Sequence, residues 1–187
     1  MRHSTDSARD DGSVEYRAYA RAPSRSGGRL SGALPGVCAV LLLLTAAALL
    51  YVRQYTVAGA SMEPTLLSGD RAFYIGFVQP DYGDLVIFDA GEVYGLVIKR
   101  VAGLPGDTIA ITPDGRVVRN GTLQNEAYIT PDALGNSAME EIRVESGKLF
   151  LLGDNRAESI DSRDVRVGQV DLTSVRGVVI RTLRKTG

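Results

Sequence analysis

The hydrophobic and polar positions divide the 187-residue chain into three parts. Residues 1–32 are rich in Ser, Arg, Asp, Gly and Ala and hold almost no large aliphatic side chains. Such a segment buries too little apolar surface to offset the entropy lost on ordering, so we predict a disordered tail. A long uncharged run follows, and from Tyr55 onward the pattern changes to short runs of β-branched residues.

The uncharged run comprises 23 residues, Leu30 to Val52. A helix of that length rises roughly 34 Å at about 1.5 Å per residue, which exceeds a bilayer core of about 30 Å. Four arginines lie in the second half of the tail, whereas Arg53 alone follows the run directly. By the positive-inside rule we predict a single-pass protein of the cell membrane: a cytoplasmic tail over residues 1–32, a transmembrane anchor over 33–53 and an extracytoplasmic domain over 54–187.

A cleavable secretory signal is the alternative interpretation of the same run. It is supported by the basic region, the apolar stretch and Ala58-Gly59-Ala60, an A-x-A pattern directly before Ser61. The uncharged run is longer than the roughly 7 to 15 apolar residues of such signals, and Arg53 separates it from the small residues. The sequence therefore favours an uncleaved anchor.

The third part predicts a mostly β domain. Seven runs rich in β-branched residues are typical of strands. They are residues 71–75, 84–88, 96–101, 108–111, 116–119, 148–152 and 176–183. Turn residues such as Asn120-Gly121 separate them, and the 21 glycines also favour turns over helices. Residues 122–141 form the least regular stretch.

Composition and charge exclude several classes of function. The 21 basic and 22 acidic residues give a net charge of −1, so no overall positive field attracts nucleic acid and we expect no nucleic-acid partner. Cys38 is the only cysteine, which excludes an internal disulfide and a thiolate metal site. His3, the only histidine, lies in the tail, so we expect no histidine triad, no metal and no other cofactor.

Without a usable histidine, a hydrolytic nucleophile needs a lysine, a carboxylate or a terminal amine as its base. Of the three lysines, Lys185 lies at the C-terminus and Lys148 directly follows a Ser-Gly turn. Lys99 lies inside an apolar strand, where alternation puts it on the face of Val97 and Val101. Burial there would lower the pKa of the amine towards neutrality. The alternative is an edge-strand lysine whose stem covers apolar surface while its amine reaches water.

Two further segments carry candidate chemistry. Ser61 follows small residues and precedes Pro64, a pattern that can hold a hydroxyl exposed but is common by itself. Residues 151–163 run from a strand into a loop dense in hydrogen-bonding groups, for which a solvated turn is the alternative. A calcium loop is disfavoured because the spacing of the acidic residues does not match an EF-hand.

Four motifs follow one another along the chain. They are Ser61-Met62-Glu63-Pro64-Thr65-Leu66, Gly83-Asp84-Leu85-Val86-Ile87-Phe88, Lys99-Arg100-Val101-Ala102-Gly103-Leu104-Pro105-Gly106-Asp107, and Gly153-Asp154-Asn155 with Ser159, Asp161, Ser162 and Arg163. In this order they resemble the type I signal peptidases, membrane-anchored Ser-Lys endoproteases that remove signal peptides from exported proteins. The resemblance covers residues 57–180 and the apolar run before them.

The resemblance implies a signal-peptidase-like β-barrel or sandwich catalytic domain behind one N-terminal transmembrane helix. It implies cleavage after small residues in A-x-A sites, with signal-peptide-bearing preproteins and the lipid bilayer as partners. By analogy, the substrate would add as an extended strand beside residues 57–60 and 81–88.

The resemblance also assigns residues to the reaction. Ser61 is the nucleophile, Lys99 the general base, and Ser159 would hold the lysine amine by a hydrogen bond. The charged residues would form two ion pairs, Asp161–Arg163 and Asp154–Arg100. The backbone N–H of Ser61 would receive the oxyanion. Gly59 stands where some members carry a serine hydroxyl, which leaves the second donor open.

Three rival functions stay open at this point. The self-cleaving SOS-response repressors also use a Ser-Lys dyad, but they need a DNA-binding domain where this chain has its apolar run. An anchored β module could bind exported peptides without cutting them, and would show no turnover at any pH. A specialised processing peptidase would act on a narrow set of secreted or pilin-like substrates, which only a substrate panel distinguishes.

Overall fold

A computed structural model of the chain describes residues 33–186, so the predicted tail over residues 1–32 lies outside the described residues. Helix α1 (Ala33–Tyr51) contains no charged residue. No helix in the described part of the chain combines the length and apolar character needed to cross a membrane. The chain forms two compact units whose boundary lies inside α1, between Leu42 and Leu43, and the second unit holds all the strands described below.

Eleven strands follow α1 within residues 33–186. In chain order they are β1 (Val52–Thr56), β2 (Arg71–Ile75), β3 (Leu85–Asp89), β4 (Leu96–Gly103), β5 (Thr108–Ile111), β6 (Val117–Arg119), β7 (Thr122–Leu123), β8 (Met139–Arg143), β9 (Lys148–Leu152), β10 (Val170–Asp171) and β11 (Val175–Leu183). Two single-turn 3-10 helices span Pro131–Ala133 and Leu172–Ser174. The domain is mostly β, as predicted.

All seven predicted strands are present, with ends that differ by at most two residues from the predicted ones. The sequence did not predict β1, β7, β8 and β10. Of these, β1 corrects the predicted end of the apolar segment: Val52 and Arg53 belong to a strand rather than to the helix, because Val52 already pairs with Ile75 of β2. Most of the stretch 122–141 is irregular, as expected.

The strands form two antiparallel sheets. The larger has the order β1-β2-β11-β3-β4-β9-β10, and the smaller has the order β7-β6-β5-β8. Although three strands separate β1 from β4 in the larger sheet, the Tyr55 hydroxyl of β1 donates a hydrogen bond to the Leu96 carbonyl of β4, at 3.0 Å. The larger sheet is therefore curled, so that its first strand faces its fifth. This curl brings distant chain segments together at the site described below.

Three groups of buried apolar side chains stabilise the sheets. The first underlies the segment after β1 and consists of Val57, Met62, Leu66, Ala72, Tyr74, Ile87 and Ile98. The second lies against β3, β9 and β11, and the third fills the space between the two sheets around Ile109 and Phe150. At roughly 1.5–3 kcal/mol for each fully buried large aliphatic or aromatic side chain, these groups supply the main driving force for folding.

Gly177 of β11 provides a test of how closely the sheet is packed. A Cβ atom at this position would lie 2.3 Å from the carbonyl oxygen of Ile75, which is backbone and cannot swing away. We expect Gly177→Ala to lower the free energy of unfolding of the detergent-solubilised full chain by about 1–3 kcal/mol in urea denaturation.

Gly76→Ala is the matched control. Its Cβ would meet the Arg176 carbonyl oxygen at 3.5 Å, an ordinary contact, so we expect a change within about 1 kcal/mol. Equal unfolding free energies for the two variants would contradict the close packing of β11 against β2.

Candidate active site

Ser61 lies in the turn that follows β1. The chain is held to the sheet just before this turn, because the Val57 N–H donates to the Asp70 carbonyl at 2.8 Å and the Gly69 N–H donates to the Val57 carbonyl at 2.8 Å. Met62, directly after Ser61, is fully buried in the first apolar group. The burial of Met62 fixes the turn, and the Ser61 side chain lies half-buried at the surface of the turn.

Lys99 lies in β4, opposite Val86 of β3. Only 4% of the residue is exposed, so the alternative of an edge-strand lysine with its amine in water is wrong. Its Nζ is 2.7 Å from Ser61 Oγ, within hydrogen-bonding distance. The structure therefore brings together the two residues that the sequence singled out as nucleophile and base.

Burial lowers the pKa of the Lys99 amine from its ordinary value of 10.5 to about 8. The negative charges of Asp161 and Asp154 act in the opposite direction, and the positive charge of Arg163 adds to the lowering. A substantial fraction of the amine is neutral near pH 8, and a neutral amine can accept a proton from a hydroxyl.

The loop after β9 packs directly on the Ser61 turn. The Asn155 N–H donates to the Ser61 carbonyl at 3.1 Å, and the Asn155 side-chain amide donates to the Ala60 carbonyl at 3.2 Å. At Gly153 a Cβ would lie 2.5 Å from the Ser61 carbonyl oxygen, so the contact requires glycine. Asn155 is a positioning residue to which the sequence analysis assigned no role, although it lies within the quoted Gly-Asp-Asn motif.

Both predicted ion pairs are present. Arg100 donates from Nε to Asp154 Oδ1 at 2.8 Å and from Nη2 to Oδ2 at 2.5 Å. Arg163 donates to the two oxygens of Asp161 at 2.8 and 2.9 Å, and Asp161 Oδ2 also accepts the Gly153 N–H at 2.9 Å. Both carboxylates are buried, and paired guanidinium groups with further hydrogen bonds offset the cost of their burial.

Ser159 and Gly59 complete the set of predicted residues. The Ser159 hydroxyl is buried and has no hydrogen-bond partner in the described part of the chain, so the expected bond to Lys99 is not formed. The hydroxyl packs over Gly153 instead, where it lies 2.1 Å from the position of an ideal Cβ. Gly59 has a φ of 80°, a left-handed conformation that favours glycine, and nothing lies within 4 Å of the position where a side chain would begin.

A third buried ion pair was not predicted. Arg156 is in close contact with Glu126, which also accepts a hydrogen bond from the Tyr128 hydroxyl at 2.8 Å. Arg156 Nε donates to the Gly153 carbonyl at 3.0 Å, and the Arg100 guanidinium stacks 4.0 Å above the Tyr128 ring. The irregular stretch after β7 thus supports the loop that holds Ser61. The only sequence signal was the position of Arg156 directly after the Gly-Asp-Asn motif.

The topology also shows where a backbone edge is free near the dyad. Residues 86–88 of strand β3 pair with β11 on one side and β4 on the other, so this part of the expected substrate-binding edge is not free. Strand β4 pairs with β9 only from Arg100 onward. Among the described strands, none pairs with the edge of residues 96–99 that faces β1.

Within residues 33–186, no three His, Cys, Asp or Glu side chains are grouped so as to hold a metal ion.

Comparisons with known proteins show the family of the chain. The model of the family described as signal peptidase, peptidase S26, matches residues 32–183. Signal peptidase I of Bacillus licheniformis is 36% identical over an alignment of 155 residues that covers 75% of this chain and 81% of the relative. Signal peptidase I T of Bacillus subtilis is 36% identical over an alignment of 142 residues that covers 68% of this chain and 72% of the relative.

A crystal structure of a signal peptidase I from Enterococcus faecalis is 28% identical in sequence and covers 54% of this chain and 97% of its own, with a TM-score of 0.46. The family match extends over most of the chain and includes both Ser61 and Lys99. The chain belongs to the signal peptidase family, peptidase S26.

Proposed function

We propose that this chain is a membrane-anchored serine endopeptidase that removes signal peptides from exported preproteins with a Ser61–Lys99 dyad. The observation that carries the proposal is the 2.7 Å separation of Lys99 Nζ and Ser61 Oγ at a lysine of which 4% is exposed. A buried amine within reach of a hydroxyl is the arrangement that lets lysine replace histidine as a general base. The family membership supports signal peptides as the substrate class.

The reaction proceeds in two steps. In the first, the neutral Lys99 amine accepts the Ser61 proton, Ser61 Oγ attacks the scissile carbonyl, and the resulting ammonium returns the proton to the leaving amine. An acyl-enzyme forms and the peptide C–N bond breaks. In the second, Lys99 takes a proton from water, the hydroxide attacks the ester, and Ser61 is released with its proton restored. No step requires a metal or another cofactor.

The oxyanion of each tetrahedral intermediate is received by the backbone N–H of Ser61. The two hydrogen bonds from Asn155 to the carbonyls of Ala60 and Ser61 fix the peptide planes on either side of the nucleophile. Because the donors of an oxyanion hole act only when held in place before the reaction, these bonds contribute to catalysis through position.

The proposed membrane anchor rests on the sequence. The 23 uncharged residues, Leu30 to Val52, and the four arginines before them support a single pass with a cytoplasmic N-terminus. Eight residues lead from Arg53 to Ser61, which span at most roughly 26 Å at about 3.3 Å each. The nucleophile would then act near the outer face of the membrane, where a membrane-held signal peptide presents its cleavage site.

The dyad is tested with a preprotein that carries an Ala-x-Ala site and with intact mass as the readout. We expect one cut after the second Ala, and a fall in kcat of about 10²–10⁴-fold or more in Ser61→Ala and Lys99→Ala. Lys99→Arg should be as inactive as Lys99→Ala, because a guanidinium stays protonated. Lys148→Arg, which changes a partly exposed lysine paired with Glu145, is the control and should keep full activity. Near-normal turnover in Lys99→Arg would falsify the assignment of the base.

The anchor is tested by alkaline carbonate extraction of membranes that contain the full chain. We expect the protein to stay in the membrane pellet, and the double variant Val40→Arg and Leu44→Arg to move to the supernatant. Each arginine near the middle of a spanning helix costs about 2.5–3.5 kcal/mol. Val93→Arg, at a valine that is 85% exposed between β3 and β4, should stay in the pellet. Extraction of the unsubstituted protein would contradict the anchor.

A further inference from the structure

The curled sheet leaves a short gap between β1 and β4. The two strands run in the same direction, because three antiparallel strands, β2, β11 and β3, lie between them in the sheet. The gap is closed at one end by the hydrogen bond from the Tyr55 hydroxyl to the Leu96 carbonyl, at 3.0 Å. It is closed at the other end by the contact between Lys99 and Ser61, at 2.7 Å.

The length of the gap follows from the strand between its two ends. On the β4 side three residue steps lead from Leu96 to Lys99, which is roughly 10 Å at about 3.3 Å per residue. An extended peptide whose scissile carbonyl lies at Ser61 therefore fits about three residues into the gap before it reaches Tyr55. A segment of this length holds one Ala-x-Ala site.

The backbone of β4 offers the peptide hydrogen-bonding groups at alternate residues only. Because Tyr55 reaches the Leu96 carbonyl from the gap, Ile98, two residues further along, also directs its N–H and C=O groups into the gap. Ile98 is therefore free to pair with a substrate strand. The Leu96 carbonyl would be the next acceptor, but the Tyr55 hydroxyl occupies the side of this carbonyl that faces the gap.

We propose that the Tyr55 hydroxyl sets the upstream limit of substrate pairing by occupying the Leu96 carbonyl. This inference rests on the proposed function and names a specificity-determining residue for it. Residues next to the cut are recognised through their backbone at Ile98. A residue two positions further upstream meets the Tyr55 hydroxyl in front of the Leu96 carbonyl and leaves the sheet. Recognition is therefore confined to the small residues of the cleavage site.

The environment of Tyr55 supports this role. The side chain is half-buried and packs against the first apolar group, which keeps the ring in place over the gap. The hydroxyl is protonated at neutral pH, and burial raises its pKa further above the ordinary value of 10.0, so it can also donate in the pH range in which Lys99 acts. Its neighbours along the gap, Val57 and Ile98, belong to the same apolar group.

Tyr55→Phe tests the inference because it removes the hydroxyl and keeps the ring. The probes are peptides with an Ala-x-Ala site and five residues upstream of the cut, each N-methylated at one amide. The Kd of each peptide is measured on the full chain that carries Ser61→Ala, which prevents cleavage during the measurement. In the protein that keeps Tyr55, we expect one methylation near the cut to weaken binding by about 3- to 10-fold, and methylation two residues further upstream to have no effect.

In the Tyr55→Phe protein, the amide two residues upstream should become sensitive by a similar factor, because it now pairs with Leu96. Peptides that extend this far should also bind Tyr55→Phe more tightly than peptides truncated before it. Tyr82→Phe is the matched control, since it removes a hydroxyl that bonds to Asp107 away from the gap, and it should leave the methylation profile unchanged.

The possible failures are distinguishable. If the methylation profiles with and without the Tyr55→Phe substitution are identical, this inference is overturned. The proposed function stays intact in that case if the protein with Ser61 restored cleaves the unmethylated peptide. If neither protein binds the peptides and the protein with Ser61 cleaves none of them, the proposed function is overturned and the inference falls with it.

Discussion

The burial of Lys99 is the constraint on which the rest of the site depends. An amine acts as a base near neutral pH only where the protein removes it from water, and burial is the largest influence on the pKa of this amine. The negative charges of Asp161 and Asp154 oppose this effect, since both favour the protonated amine. Each carboxylate is paired with an arginine, Arg163 and Arg100 respectively, and the positive charge of Arg163 lowers the pKa of Lys99 further. The ion pairs therefore have an electrostatic role as well as a structural one.

The fold meets this constraint by curling one sheet until its first strand faces its fifth. Ser61 follows β1 and Lys99 lies in β4. The loop after β9 contacts both elements, because Asn155 donates to the Ser61 carbonyl and Asp154 pairs with Arg100 of β4. Glycine at position 153 is what permits that loop to approach, because even a methyl group would collide with the Ser61 carbonyl. The same curl leaves free edges of β1 and β4 beside the dyad among the described strands, so the geometry that creates the base also creates the place where a peptide can pair.

The sequence predicted those features that depend on local pattern. Strands β2, β5 and β9 appeared at the predicted residues. The apolar strand around Lys99 left open whether its amine is buried, and only the family resemblance assigned it as the base. The features it missed depend on tertiary contacts. Strand β8 is largely polar and forms because β5 offers it an edge, and the partner of Arg156 comes from an irregular stretch with no periodic pattern. The orientation of the Ser159 hydroxyl depends on packing against Gly153, which a motif does not encode.

The central claim, that Lys99 is a buried base of lowered pKa, is tested most directly by an NMR titration of the lysine side chains. With three lysines in the chain, selective ¹³C labelling at Cε gives few signals, and Lys99→Arg identifies the one from Lys99. Because burial disfavours the charged form, the Lys99 amine should lose its proton as the pH rises through about 8. A Lys99 signal that titrates with the ordinary lysine pKa of 10.5 would contradict the account.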